Sequence, residues 1–267
     1  MPPDTPRSLW SGSLSFGLVN VPVQLVSAVQ DLDVRFRQLH DSDHTPIETR
    51  RVCTEEGREV PYEEIAHGYD LNGRRVVLTD EELAAAAPRK TRTIDLEEFV
   101  PLAEIDPIYF DHPYFLVPAG EGDGTRRAYR LLVEVMADTE RAALGRFVLR
   151  TREYLTAIRV RDGALALTTL RFADEVRPAD AIDVAGAAPD RRHVDEAVRL
   201  IEALSVPWDP ERYEDRYRRR LLEIIESKRK GHTVKAPRVE KEPPPTPDLM
   251  AALEQALAEA KSGSRAG

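Results

Sequence analysis

The sequence predicts a mainly β protein with a barrel or sandwich core and a smaller set of helices. Short apolar runs of period two recur between Leu14 and Leu170, and one junction between them, Arg161-Asp162-Gly163, has hairpin composition. Apolar stripes of helical period, by contrast, gather after residue 190. Many short strands joined by tight turns favour closure into a barrel or stacking into a sandwich.

Taken in order, Leu14, Phe16 and Leu18 alternate on one parity, and Val19, Val21, Val23 and Leu25 on the other. A bulge or bend near Gly17 to Asn20 would reconcile the two registers. Further strand-type runs are Val76 to Leu78, Tyr109 to Phe110, Tyr114 to Val117, Arg146 to Arg150, Tyr154 to Val160 and Ala164 to Leu170. Asp162-Gly163 between the last two predicts a hairpin, because glycine takes a positive φ without steric cost. Thr79 and Glu82 form a capping box before Leu83 to Ala87, and Pro88 ends that helix. Val194, Ala197, Val198, Ile201 and Leu204 predict a second helix. A third is expected to start at Asp209-Pro210, to carry Tyr213, Tyr217, Leu221, Ile224 and Ile225 on one face, and to close at Gly231. Residues 233–247 are Pro-rich and read as an extended linker. Beyond it, Leu249, Leu253, Ala256, Leu257 and Ala260 make a short amphipathic helix over 248–262, marginal alone and in need of a partner.

A chain of 267 residues with 42% hydrophobic and 32% charged residues suits a globular protein with a substantial core. No apolar run reaches the length of about eighteen residues that a membrane helix needs, so no membrane partner is expected. The amino end lacks the continuous apolar stretch of a secretory signal, and the single cysteine, Cys53, fits a reducing cytoplasm. The net charge of −9 argues against a polybasic coat, yet the signs are segregated. Residues 77–123 hold eleven acidic residues against three basic ones, whereas residues 126–161 hold nine arginines against four acids. A basic face is therefore available locally, although the same arginines also suit a solvated surface.

Motifs for enzymatic chemistry do not emerge. There is no phosphate-cradling glycine loop, no dinucleotide fingerprint, no G-x-S-x-G elbow and no H-E-x-x-H. His40-Asp41-Ser42-Asp43-His44 groups two imidazoles with two carboxylates and could serve a metal, but Asp, Ser and Thr45-Pro46 are also ordinary turn chemistry. No cofactor and no metal are expected, and no catalytic residue is nominated.

Several ordered segments carry a family resemblance. Trp10 to Leu25, Arg35-Phe36-Arg37-Gln38-Leu39-His40, Arg50-Arg51-Val52-Cys53, Val77 to Leu83, Glu98 to Pro101, Ile105 to Asp111 and Tyr114 to Pro118 resemble the bacterial Ku proteins of DNA end joining. So do Leu149 to Leu155, Arg161 to Gly163, Thr169 to Val176 and Tyr213 to Lys228, so that the resemblance spans roughly residues 8–232, with a weaker echo at Asp248 to Lys261. It implies a β-barrel core over 8–185 with a strand-built bridge at about 30–75, and a helical arm over 190–232 that embraces a second copy. The homodimer would form a ring threaded onto linear double-stranded DNA ends, non-enzymatic and nucleoid-associated in the cytoplasm. Its tail would recruit a multifunctional ATP-dependent DNA ligase of the ligase D type.

Backbone contacts would suffice for such a ring, because the sequence at a break is arbitrary. The resemblance places Arg35, Arg37, His40, Arg50, Arg51, Arg58 and Arg74 in the bridge as DNA-binding residues, unless Asp41, Asp43, Glu48, Glu55 and Glu56 engage them in salt links. It places Tyr213, Tyr217, Leu221 and Ile224 at the dimer contact and Leu249, Leu253 and Leu257 at the ligase. Two departures stand out. Glu56 occupies the position where many relatives have a second cysteine, so a zinc knuckle does not carry over, and the long Lys-rich tail of some relatives has no counterpart. A metal-dependent hydrolase or nuclease using His40, His44 and carboxylates, or an interaction scaffold without DNA binding, are the competing readings.

Overall fold

A computed structural model describes residues 7–88, 91–120, 122–183, 186, 188 and 190–232. The chain divides into two units. The first runs from the amino end to Leu32 and from Arg37 to Ala179; the second comprises Asp33–Phe36 and the chain from Asp180 onward.

The first unit holds a closed seven-stranded barrel, as the fold class requires. β1 (Ser8–Phe16) and β2 (Val19–Ser27) form a hairpin; β5 (Thr93–Pro101), β6 (Phe110–Pro118), β7 (Arg141–Leu149), β8 (Arg152–Arg161) and β9 (Ala164–Leu170) complete it, in the order β1-β2-β6-β9-β8-β7-β5. Every neighbouring pair is antiparallel except β1 with β5, which closes the barrel in parallel. The parity change at Gly17 is therefore not a bulge within one strand. Gly17, at a φ of +58°, begins a two-residue turn that puts Leu14 opposite Val21. Glycine at the first turn position is the signature of a type II′ hairpin, and reversal of the chain lets both parities face inward. The Asp162-Gly163 hairpin forms as expected, with both residues at positive φ.

Inside the barrel, Leu14, Val21, Val23, Leu25, Ile94, Leu116, Phe147, Ile158, Leu165 and Leu167 are buried with almost no exposed surface. At about 25 cal/mol per Å2 of apolar surface removed from water, this cluster is the main favourable term of the fold. A helix that the sequence reading did not assign, α2 (Asp123–Thr139), packs on it through Tyr129 and Met136. The Tyr129 hydroxyl donates to the Leu116 carbonyl (2.7 Å) and accepts from the Leu165 amide (2.9 Å). It thus pins the helix to two strands with both of its buried hydrogen-bonding roles satisfied.

Between β2 and the next helix, α1 (Asp80–Ala86), the chain leaves the barrel for residues 28–79. No residue from 29 to 80 is buried. Its order comes from hydrogen bonds: isolated bridges at Leu39–Pro46 and Val52–Glu59, and a hairpin of β3 (His67–Leu71) and β4 (Arg74–Leu78). Asn72 and Gly73 both have positive φ in that turn, the strongest short hairpin signal, and with β3 and β5 it escaped the strand runs read from the sequence. The Thr79–Glu82 capping box of α1 forms as predicted.

The second unit contains α3 (Arg191–Leu204) and α4 (Arg216–Arg229), capped by Asp190 and Asp215. Asp209-Pro210 starts only a one-turn helix, Pro210–Arg212, and α4 begins at Asp215-Arg216. Tyr213 therefore precedes the helix, because the local Asp cap is satisfied within one turn and a second Asp takes over the capping. No described residue after Leu170 is buried.

Candidate nucleic-acid interface

The excursion at 28–79 carries six of the seven cationic candidates within the first unit, on a framework of successive tight turns. In the first turn the His40 amide donates to the Thr45 carbonyl (2.8 Å) and His44 takes a φ of +58°. Asp43 accepts from the Thr45 amide (3.1 Å) and hydroxyl (2.8 Å), which holds its carboxyl below the usual range, and it also faces His40 Nδ1 at 3.1 Å. His40, Ser42 and Asp43 thus serve the turn itself. Among the described residues, no group of three or more His, Cys, Asp and Glu side chains converges as metal ligands would.

The second turn runs from Arg51 to Val60. Val60 donates to the Arg51 carbonyl and Cys53 to the Arg58 carbonyl, both at 2.9 Å, and Gly57 turns the chain at a φ of +65°. The amides of Glu56 and Glu55 bond the Cys53 sulfur and lower the thiol's pKa. Glu56 pairs its carboxylate with Arg58, so the position of the missing cysteine serves an ion pair.

These turns sort the arginines. Arg50 lies between Glu48 (3.4 Å) and Glu59 (3.1 Å), and Arg58 between Glu56 and Glu64 (3.1 Å). Arg51 is set over the Tyr62 ring, 5.4 Å from its centroid. Arg37, Arg51 and Arg74 make no ion pair among the described residues, whereas Arg75 beside Arg74 pairs with Asp70 at 3.1 Å. Arg35 belongs to the second unit and already has an interaction partner. Of the acids expected to compete, Glu48 and Glu56 hold arginines and Asp43 holds His40; Glu59, Glu64 and Tyr62 are partners the sequence did not nominate.

With seven arginines against eleven acids over residues 28–79, the balance here is −4, so any surface for a polyanion must come from sorting by face. The hairpin shows such sorting: by register, Arg74 shares a face with Tyr69, Leu71 and Val76, while Arg75 and Asp70 pair on the other. Every ion pair here is solvent-exposed and worth at most about 1 kcal/mol, so phosphates can compete for the paired arginines as well.

The apolar side chains of the excursion are as notable. Phe36, Ile47, Val52, Tyr62, Tyr69 and Val77 are each more than half exposed. In the second unit, Tyr217, Leu221 and Ile224 lie on α4 at i, i+4 and i+7, with Tyr217 74% exposed and Leu221 and Ile224 half-buried. Tyr213 stacks on Trp208 (5.3 Å between centroids), an aromatic that the sequence reading passed over. Leu249, Leu253 and Leu257 lie outside the described residues.

Together, a closed barrel and a cation-bearing excursion without a buried residue define a barrel protein with a long exposed insertion. The family model described as the Ku70/Ku80 beta-barrel domain matches residues 15–197. The chain is 44% identical over 258 residues to the non-homologous end joining protein Ku of Anaeromyxobacter sp. (strain K), covering 96% of this chain and 86% of that one. It is 42% identical over 263 residues to non-homologous end joining protein Ku 1 of Geotalea uraniireducens, covering 96% and 98%. The Bacillus subtilis protein Ku is 36% identical over 229 residues, covering 83% and 72%. The chain belongs to the Ku family of non-homologous end joining proteins. No helix among its described residues is long and apolar enough to cross a membrane.

Proposed function

We propose that this protein holds broken duplex DNA in repair by non-homologous end joining, as a non-enzymatic homodimeric ring. The observation that carries the reading is the excursion at 28–79: arginines and large apolar side chains on a stretch without a buried residue. Exposed apolar area of that extent has a use where a second copy covers it, and arginines outside a core have a use where phosphates meet them. The partly exposed stripes of α3 and α4 supply a second apolar face for the arm of such a dimer. Arg37, Arg51 and Arg74 bind the backbone first, since they give up no ion pair to do so, while Arg35, His40, Arg50 and Arg58 contribute by exchanging partners. Family membership adds the rest of the reading: loading from an end, and recruitment of a multifunctional ATP-dependent DNA ligase through residues 248–262. Encirclement has a topological consequence, because a closed circle offers no entry. Linear duplex should therefore bind while the same duplex covalently closed should not; equal affinity for both at moderate salt contradicts the ring.

A further inference from the structure

A pocket of about 280 Å3 opens at one end of the barrel, and none of the residues assigned above lines it. It lies where β2 gives way to the excursion: Ser27, the last residue of β2, pairs with Tyr114, and the Ala28 amide donates to the Pro113 carbonyl. Its walls include Leu9, Leu149, Tyr114 and Tyr154, and its cationic side is made by Arg150 and Arg152, with the His112 imidazole also in the lining.

The charges are arranged for an anion. Arg150 makes no ion pair among the described residues. Arg152 is anchored at 3.2 Å on Glu175 and over the Tyr154 ring at 5.4 Å. Asp111 is the carboxylate of the pocket lining, and Arg171 (2.7 Å) and His112 (3.1 Å) already hold it. Arg171 thus offsets Asp111 and Glu175 offsets Arg152, which leaves Arg150 as the uncompensated charge. Burial pushes the Tyr114 hydroxyl's pKa up, with Tyr154 and Asp111 adding to the effect, so it stays a neutral donor. The backbone tells the same story from another side. Arg150 occupies the first position of the two-residue β7–β8 turn at a φ of +61°, where glycine is the usual residue. A strained arginine in place of an unstrained glycine puts a guanidinium at the pocket rim.

We propose that this pocket binds the phosphate monoester of a nucleotide, with Arg150 as principal ligand, Arg152, His112 and the Tyr114 hydroxyl as further donors, and the aromatic and aliphatic walls against sugar and base. Several donors lining one recess suit a tetrahedral dianion, and guanidinium groups match phosphate oxygens in pairs. A recess of this size admits a phosphate at the end of a strand or on a free nucleotide, whose terminal monoester carries more charge for the arginines than an internal diester does. The pocket stands on the barrel's own geometry, and only its assignment to a strand end rests on the end-binding reading.

The test uses the full chain. Thymidine 5′-monophosphate should bind at least tenfold more tightly than thymidine by titration calorimetry. Arg150→Gly, which relieves the turn, should lose that advantage while melting as cooperatively as wild type; Arg150→Asn, which also accepts a positive φ, serves if the glycine variant does not fold. Equal binding of nucleotide and nucleoside, or wild-type binding by a folded Arg150 variant, overturns the proposal. Two further arms separate the sources. If a duplex with a 5′-phosphorylated overhang binds better than its 5′-hydroxyl counterpart, and Arg150→Gly abolishes the gain, the ligand is a strand terminus. If the two overhangs bind alike while the mononucleotide still binds, it is a free nucleotide. Failure of the end-binding reading shows separately, as linear and closed DNA binding alike with mononucleotide binding intact.

Discussion

Arg50 and Arg51 are chain neighbours in opposite circumstances. One is held between Glu48 and Glu59, the other is laid over Tyr62. The resemblance places both in the expected bridge but cannot sort them, because Glu59 and Glu64 reach the arginines only through the turn at Gly57 and the one-turn helix at Tyr62–Glu64. The sorting has a measurable consequence. Arg51→Glu with Arg74→Glu should weaken linear-duplex binding for all sequences alike and flatten the log–log salt slope by about 1.8, at about 0.9 for each phosphate no longer neutralised. Arg50→Gln, which removes an arginine already paired, should change the slope by less; fluorescence anisotropy across a salt series reads both. Tyr129 offers a test of the barrel at the same scale. Tyr129→Phe removes the hydroxyl partner of the Leu116 carbonyl and the Leu165 amide, at about 1–3 kcal/mol for each buried group, so urea denaturation should show a loss of about 2–6 kcal/mol. Burial raises the Tyr129 pKa in the folded state, so its contribution is complete below the ordinary tyrosine value and is lost as pH rises through the folded value. Wild type should lose stability above about pH 10, and Tyr129→Phe should remove part of that alkaline loss.

Elements with a strong local signal are legible before any tertiary structure. The Thr79 capping box, the Asp162-Gly163 hairpin and the α3 stripe depend on a few neighbouring residues, and all three form. Elements whose pattern is interrupted or outweighed are not. β5 loses its alternation at a register shift between Leu96 and Glu98, so Ile94, Leu96 and Phe99 do not read as one strand. α2 carries Tyr129, Leu132, Val133 and Met136 at i, i+3, i+4 and i+7, yet its arginines dominate the stretch as a charge signal. At the β1–β2 turn the pattern itself is visible, but a parity change has two solutions, and only the pairing of Leu14 with Val21 distinguishes a hairpin from a bulge. The α4 stripe is legible apart from its start, and its use is the open question. If α4 forms the arm of the proposed dimer, Leu221→Asp should give monomer or unfolded chain by sedimentation velocity, since an unpaired charge on a face covered by a second copy costs several kcal/mol. A dimer of unchanged stability that still binds linear DNA would place the arm contact elsewhere.

Over the whole molecule, the net charge of −9 and the balance of −4 in the excursion exclude a uniformly basic coat, so the proposed ring would draw its affinity for DNA from enclosure and local sorting of charge. The sequence conveys the charge bias and, through its resemblance to Ku, the family; it does not convey which face each arginine takes. The tail is a separable function on this account. Truncation after Gly231 should leave ring loading and dimerisation intact while ending stimulation of the ligase, and Leu253→Asp should reproduce that loss in the full chain. A truncated protein that melts lower yet still stimulates sealing would make the terminal segment part of the protein's own packing. Encirclement itself is tested most directly by trapping. The protein is loaded on a linear duplex, the ends are then ligated into a circle, and the complex is washed at a salt concentration that strips it from uncircularised DNA. The account predicts that protein stays on the circles through the wash and is released when a restriction enzyme cuts them; loss at the same rate from circles and linear duplex would contradict it.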